Sequence, residues 1–123
     1  MITEDYVSFE TAKLLKEKGF DESCYQKYDN EGYLSFNHVG YINDEKPCAD
    51  FCALAPTHQM AMKWLREIYG IDIVIEISDP AVKDRKYYCV IWDKNNDSYI
   101  LDLFNSYEEA CEAAIKYSLE NLI

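Results

Sequence analysis

The most legible pattern in the chain runs from Pro56 to Gly70, PTHQMAMKWLREIYG, where Ala61, Trp64, Leu65 and Ile68 recur at i, i+3, i+4 and i+7. That spacing puts four apolar side chains on one stripe of a helix and predicts that the stripe faces a core. Thr57 supplies an N-cap oxygen and Gly70 a left-handed stop, so the helix is expected over 57–69. The period then drops to two. Ile71, Ile73, Ile75 and Ile77 alternate with Asp72, Val74, Glu76 and Ser78, predicting a strand at 71–78 with one buried face. Asp79 and Pro80 break it. The next strand, 86–93, is apolar on both faces, Tyr88/Val90/Trp92 and Tyr87/Cys89/Ile91, as a central strand is. Turn residues Lys94 to Asp97 lead into a third strand at 98–104, completing an antiparallel meander.

Ser106 and Glu109 stand in the S-x-x-E relation of a capping box and start a helix at 106–121. Ala110, Cys111, Ala114 and Tyr117 line it with a narrow stripe that lets it sit close against a sheet. At the other end of the chain, Ser8 and Gly19 bracket a helix over 8–18, with Val7 and Ala12 at hydrophobic-staple positions and Phe20 able to fold back on Leu15. Residues 21–55 carry scattered aromatics without a sustained period. A hairpin of 23–28 and 33–37 across Asp29-Asn30-Glu31-Gly32 is the expectation there. Asn43 to Pro47 reads as a solvated loop, and Cys48 to Ala55 as a short helix or an extended approach to Pro56. The fold class is therefore α+β: one domain, 1–123, in which a three-stranded meander is packed by helices in α-β-β-β-α order. Trp64, Leu65, Ile73, Ile75, Ile91, Leu101 and Ala114 are its expected core.

From Thr57 on, that order resembles the double-stranded-RNA-binding domain. The lysine cluster with which that family grips phosphates is replaced by Tyr107-Glu108-Glu109, so no RNA contact is carried over. In sequence, VSFETAKLLKEKGF (Val7 to Phe20), PTHQMAMKWLREIYGI (Pro56 to Ile71) and SYEEACEAAIKYSLENLI (Ser106 to Ile123) resemble an uncharacterised family of small acidic proteins from gut Bacteroidetes and their phages or mobile elements. The resemblance implies no activity. It directs attention to residues 21–55, outside those segments, as a place where individual partners would be read.

Charge narrows the partners. Twelve Lys and Arg against 23 Asp and Glu leave a net charge of −11, which repels phosphate backbones and anionic lipid, so neither direct nucleic-acid binding nor membrane association is expected. Five cysteines cannot all pair within the chain, and reduced thiols are the expectation. Met1 leads into ITEDYVSFE, which has neither the basic nor the apolar region of a secretory signal, and a cytoplasmic location follows as an expectation.

Candidate chemistry is sparse. Cys48, Cys52 and His58, with Cys24 and His38 upstream, hold the donor types for zinc but lack a close C-x2-C knuckle, so neither metal nor any other cofactor is expected. Cys52 with His58 lacks the surroundings of a thiolate nucleophile. Carboxylate pairs such as Glu108/Glu109 and Asp44/Glu45 suit a solvated acidic surface, no catalytic residue is assigned, and an enzyme is the minority reading. Eleven tyrosines favour contact surfaces as well as strands. The leading expectation is a non-enzymatic protein–protein interaction module. The alternatives are an acidic nucleic-acid mimic or inhibitor of a host nucleic-acid-binding protein, and a small ligand-binding protein or hydrolase. One face of the central strand must be covered or used, and coverage by the first 55 residues is expected to leave Tyr88 and Trp92 as a rim for a partner or a second copy.

Overall fold

The computed structural model describes residues 2–36, 52–79 and 83–123. Among them are three helices and two antiparallel three-stranded sheets, and the chain divides into two units, Met1–Met60 and Ala61–Ile123, the division falling within a helix. The mixed helix and strand character agrees with the sequence; the arrangement differs in that the hairpin expected ahead of Pro56 gains a third strand and becomes a second three-stranded sheet.

In the first unit, α1 (Phe9–Glu17) starts where the Ser8 hydroxyl accepts the Thr11 amide at 3.2 Å. It stops at Gly19, where the Phe20 amide reaches the Leu15 carbonyl at 2.9 Å and the Gly19 amide the Lys16 carbonyl at 3.1 Å. Those two bonds form the Schellman pattern, which folds Phe20 back over Leu15, and both side chains are buried. β1 (Gln26–Tyr28) pairs with β2 (Leu34–Phe36) as the expected hairpin, shorter than expected at the β1 end; Asn37 lies outside the described residues. β3 (Ala53–Leu54) adds to the other edge of β1, so the order is β2-β1-β3. Cys48 and Phe51 lie outside the described residues, and Ala53 and Leu54 are extended and buried rather than helical. Val7, Ala12, Leu15, Phe20, Tyr28 and Leu54 form the core here, and the Tyr28 hydroxyl donates to the Val7 carbonyl inside it.

Helix α2 (His58–Tyr69) begins where the Thr57 hydroxyl accepts the Met60 amide at 3.1 Å. Ala61, Met62, Trp64 and Leu65 are buried, whereas Ile68, expected on the same stripe, is 59% exposed. Around the helix Ile68 falls between Ala61 and Trp64, both buried, so its exposure comes from its place in the last turn and not from the side it faces. The Trp64 ring, one turn earlier, is buried and packs edge-on against Tyr69 at 5.2 Å.

β4 (Asp72–Ile77), β5 (Tyr87–Trp92) and β6 (Ser98–Phe104) form the second sheet, in the order β4-β5-β6. α3 (Tyr107–Asn121) packs on one face, with Tyr87 against Tyr107 and Tyr99 against Tyr117, ring centroids 6.3 and 5.8 Å apart. Its start is a variant of the capping box: Ser106 Oγ accepts the Glu109 amide, while the Glu109 carboxylate takes the amide of Asn105 instead of that of Ser106. Cys89 and Ile91 on the central strand are fully buried beneath α3. Ile73, Ile75 and Leu101 on the outer strands, expected as core, are only half-buried. A helix is about 10 Å wide and covers the middle of a three-stranded sheet better than its edges.

The same turn is built twice. In the β1–β2 turn Asp29 Oδ1 accepts the amides of Glu31 and Tyr33, and in the β5–β6 turn Asp93 Oδ1 accepts those of Asn95 and Asp97, all at 2.9–3.0 Å. The fourth residue of each, Gly32 and Asn96, has positive φ, 88° and 66°. Asp93 Oδ2 also accepts the Tyr99 hydroxyl, and desolvation, then the Asp93 carboxylate, push the Tyr99 phenol up from its ordinary value. Asp93→Ala leaves two amides without their acceptor and should cost about 1–2 kcal/mol in urea denaturation. Asp93→Asn, which keeps an acceptor oxygen, should cost clearly less.

Candidate functional site

The face of the second sheet away from α3 is set by the register of its strands. Asp72, Trp92 and Ser98 form one row, Val74, Val90 and Ile100 the next, and Glu76, Tyr88 and Asp102 the third. The centre is an apolar row spanning all three strands, with an aromatic ring to either side. Three carboxylates occupy outer-strand positions, and no Lys or Arg occupies any of the nine. Val74 is 41% exposed, Trp92 43% and Ile100 64%, while Tyr88 and Val90 are half-buried. The exposure therefore extends beyond the rim expected from sequence to the central row itself.

The two residues singled out from sequence, Tyr88 and Trp92, point to this face, four residues apart on β5. Ile100, Val74 and Leu103 were not singled out. The Asp93 turn fixes Trp92 opposite Ser98, hence Val90 opposite Ile100, so that pair was deducible once the turn type was known, whereas Val74 joins the row only through the β4–β5 register. Leu103 had no such signal. The ladder shifts between Tyr87 and Tyr88, whose partners are Phe104 and Asp102, leaving Leu103 as the extra residue of a bulge with φ 59° and 68% exposure.

The other candidates do not assemble. His38 and Cys48 lie outside the described residues. Cys52 is half-buried, with its carbonyl accepting the Lys16 ammonium at 2.7 Å, and His58 is buried at the start of α2, its amide donating to Asp5. Among the described residues no three His, Cys, Asp or Glu side chains are grouped to hold a metal. Burial, with a smaller contribution from Glu22, pushes the Cys24 thiol up to about 12, and burial also raises Cys89, the opposite of what a nucleophilic thiol needs. An unfolded chain releases the Cys24 proton near pH 9 and the folded chain only near pH 12, so the folded state binds more protons in between. The stability Cys24 contributes should be complete below pH 9 and fall as pH rises toward 12. Unfolding free energies at pH 8 and 10.5 should show a shallower decline in Cys24→Ala than in the parent.

Of the cavities within single units, one of about 290 Å³ is lined by Tyr69, Ile71, Asp93, Lys94, Asn95, Leu122 and Ile123. One of about 130 Å³ lies beside Cys24, Tyr6 and Met60. The second falls below the roughly 300–1,000 Å³ usual for small-molecule sites, and the first sits at the lower edge of that range. Among the described residues no helix is long and apolar enough to cross a membrane. Neither a scan against protein-family models nor searches of curated proteins and of solved structures find a match to this chain.

Proposed function

We propose that this chain is a non-enzymatic interaction module that binds another protein through the open face of β4-β5-β6. The observation that carries this reading is the row Val74–Val90–Ile100, flanked by Tyr88 and Trp92 and exposed across the sheet. A contiguous apolar patch rimmed by polar groups is the surface pattern of a contact site, and Trp and Tyr are the residues that anchor such contacts. Leu103 adds to the case: a leucine in left-handed backbone costs roughly 1–2 kcal/mol, and at 68% exposure little burial within the chain offsets it, which suits a use at the surface. Relieving the strain with Leu103→Gly should raise the melting temperature, read by calorimetry.

Photo-crosslinking in the native cells tests the reading. A photoreactive residue at Ile100 should give a single protein adduct that Trp92→Ala abolishes, while the same probe at Glu120, exposed on α3, should not give it. The reading fails when the two positions give the same adducts, or when position 100 gives none.

A further inference from the structure

Resting on that reading, we infer that the partner presents a cationic amphipathic helix of about three to four turns, laid along β5 on the open face of β4-β5-β6 with its apolar stripe on Tyr88, Val90 and Trp92 and its middle turn between Val74 and Ile100. Two observations select this occupant. The first is shape. The sheet already takes one helix, α3, on its other face, and both faces have the same dimensions. The outer strands stand about 10 Å apart, a helix diameter. β5 has six residues, about 20 Å, which a helix of about 13 residues matches at 1.5 Å per residue.

The second is charge. Asp72 and Glu76 on β4 and Asp102 on β6 lie to either side of β5, so a helix laid along β5 would have carboxylates on both sides of its apolar stripe. Lys or Arg next to that stripe meets them, and a net charge of −11 draws such a segment in from a distance. A second copy of this chain brings the same three carboxylates face to face with themselves. Self-docking on this face is therefore opposed by the charge that favours a basic partner.

The test uses the full chain, isotopically labelled, and a 14-residue peptide of Leu and Lys in amphipathic helical order, with capped ends. Two controls share its length: a Leu/Glu peptide in the same order, and a Leu/Lys peptide scrambled to remove the apolar stripe. The ordered Leu/Lys peptide should shift amide resonances of Asp72–Ile77, Tyr87–Trp92 and Ser98–Asp102, and bind at least tenfold more tightly than either control. The triple variant Asp72→Asn, Glu76→Gln, Asp102→Asn should weaken it by roughly tenfold at low salt and by much less at high salt, as exposed charge pairs do. Ile100→Glu, at a position 64% exposed and so compatible with folding, should abolish it.

Equal binding of the Leu/Lys and Leu/Glu peptides at this face overturns the cationic partner while leaving the face as a contact site. Binding that needs the carboxylates but survives Ile100→Glu overturns the apolar seat and points to an acidic mimic of nucleic acid. Concentration-dependent shifts of the same resonances without peptide identify a second copy as the occupant. Shifts elsewhere, or none with any peptide, overturn the helical partner, and the crosslink from position 100 then decides separately whether the face binds protein at all.

Discussion

Trp64→Ala is expected to lower the free energy of unfolding by roughly 3–5 kcal/mol, the range for emptying a buried tryptophan site. The side chain is 6% exposed and its ring packs edge-on on Tyr69 within the same helix, so truncation both opens a cavity and removes an aromatic contact. Ile68, four residues on, provides the contrast. It occupies the same stripe by sequence but is 59% exposed, and Ile68→Ala should change stability by no more than about 0.5 kcal/mol. Denaturant titration of both variants measures the two values, with an unchanged slope confirming that the unfolding reaction itself is the same. Equal losses would show that Ile68 is covered as fully as Trp64.

That contrast marks where sequence legibility ends. Helix existence follows from local chemistry, and Thr57, Ser106, Ser8 and Gly19 act as the caps and stops their residue types predict. A stripe gives the side of a helix that is buried, here Ala61, Trp64 and Leu65, but not how far along the helix the cover extends, and Ile68 lies in the last turn beyond it. The β5 strand shows the same limit in another form. Both of its faces are apolar, so alternation could not say whether Cys89 and Ile91 or Val90 and Trp92 face inward. Pairing with Ile73 and Ile75 on β4 decides it, and pairing is a tertiary fact. β3 is two residues long, too short to carry any period, and its place beside β1 comes from bonds that sequence does not display, Cys52 to Tyr28 and Ala55 to Gln26. The open face inherits both conditions. Tyr88 and Trp92 could be named because they are conspicuous aromatics, but Ile100 and Val74 become part of a surface only when the register aligns them with Val90.

Gly32→Ala should cost about 2–5 kcal/mol, and Gly19→Ala should separate that loss into its two parts. Both glycines have positive φ, 88° and 92°, where a Cβ costs roughly 1–2 kcal/mol. Their surroundings differ. A Cβ on Gly19 would meet nothing within 4 Å, whereas a Cβ on Gly32 would lie 2.9 Å from Cδ2 of Phe9. Phe9 has little room to withdraw, because its ring packs on Tyr28 at 5.4 Å between centroids and the Lys13 ammonium sits over it at 4.4 Å. Overpacking of that kind adds about 1–3 kcal/mol to the backbone strain. Gly19→Ala should therefore show the backbone cost alone, and the excess in Gly32→Ala should shrink when Phe9 is also shortened. A double-mutant cycle of Gly32→Ala with Phe9→Ala measures that coupling directly. Coupling near zero would mean that the turn tip does not press on Phe9, and that the β1–β2 turn and α1 are held together through Tyr28 and Val7 instead.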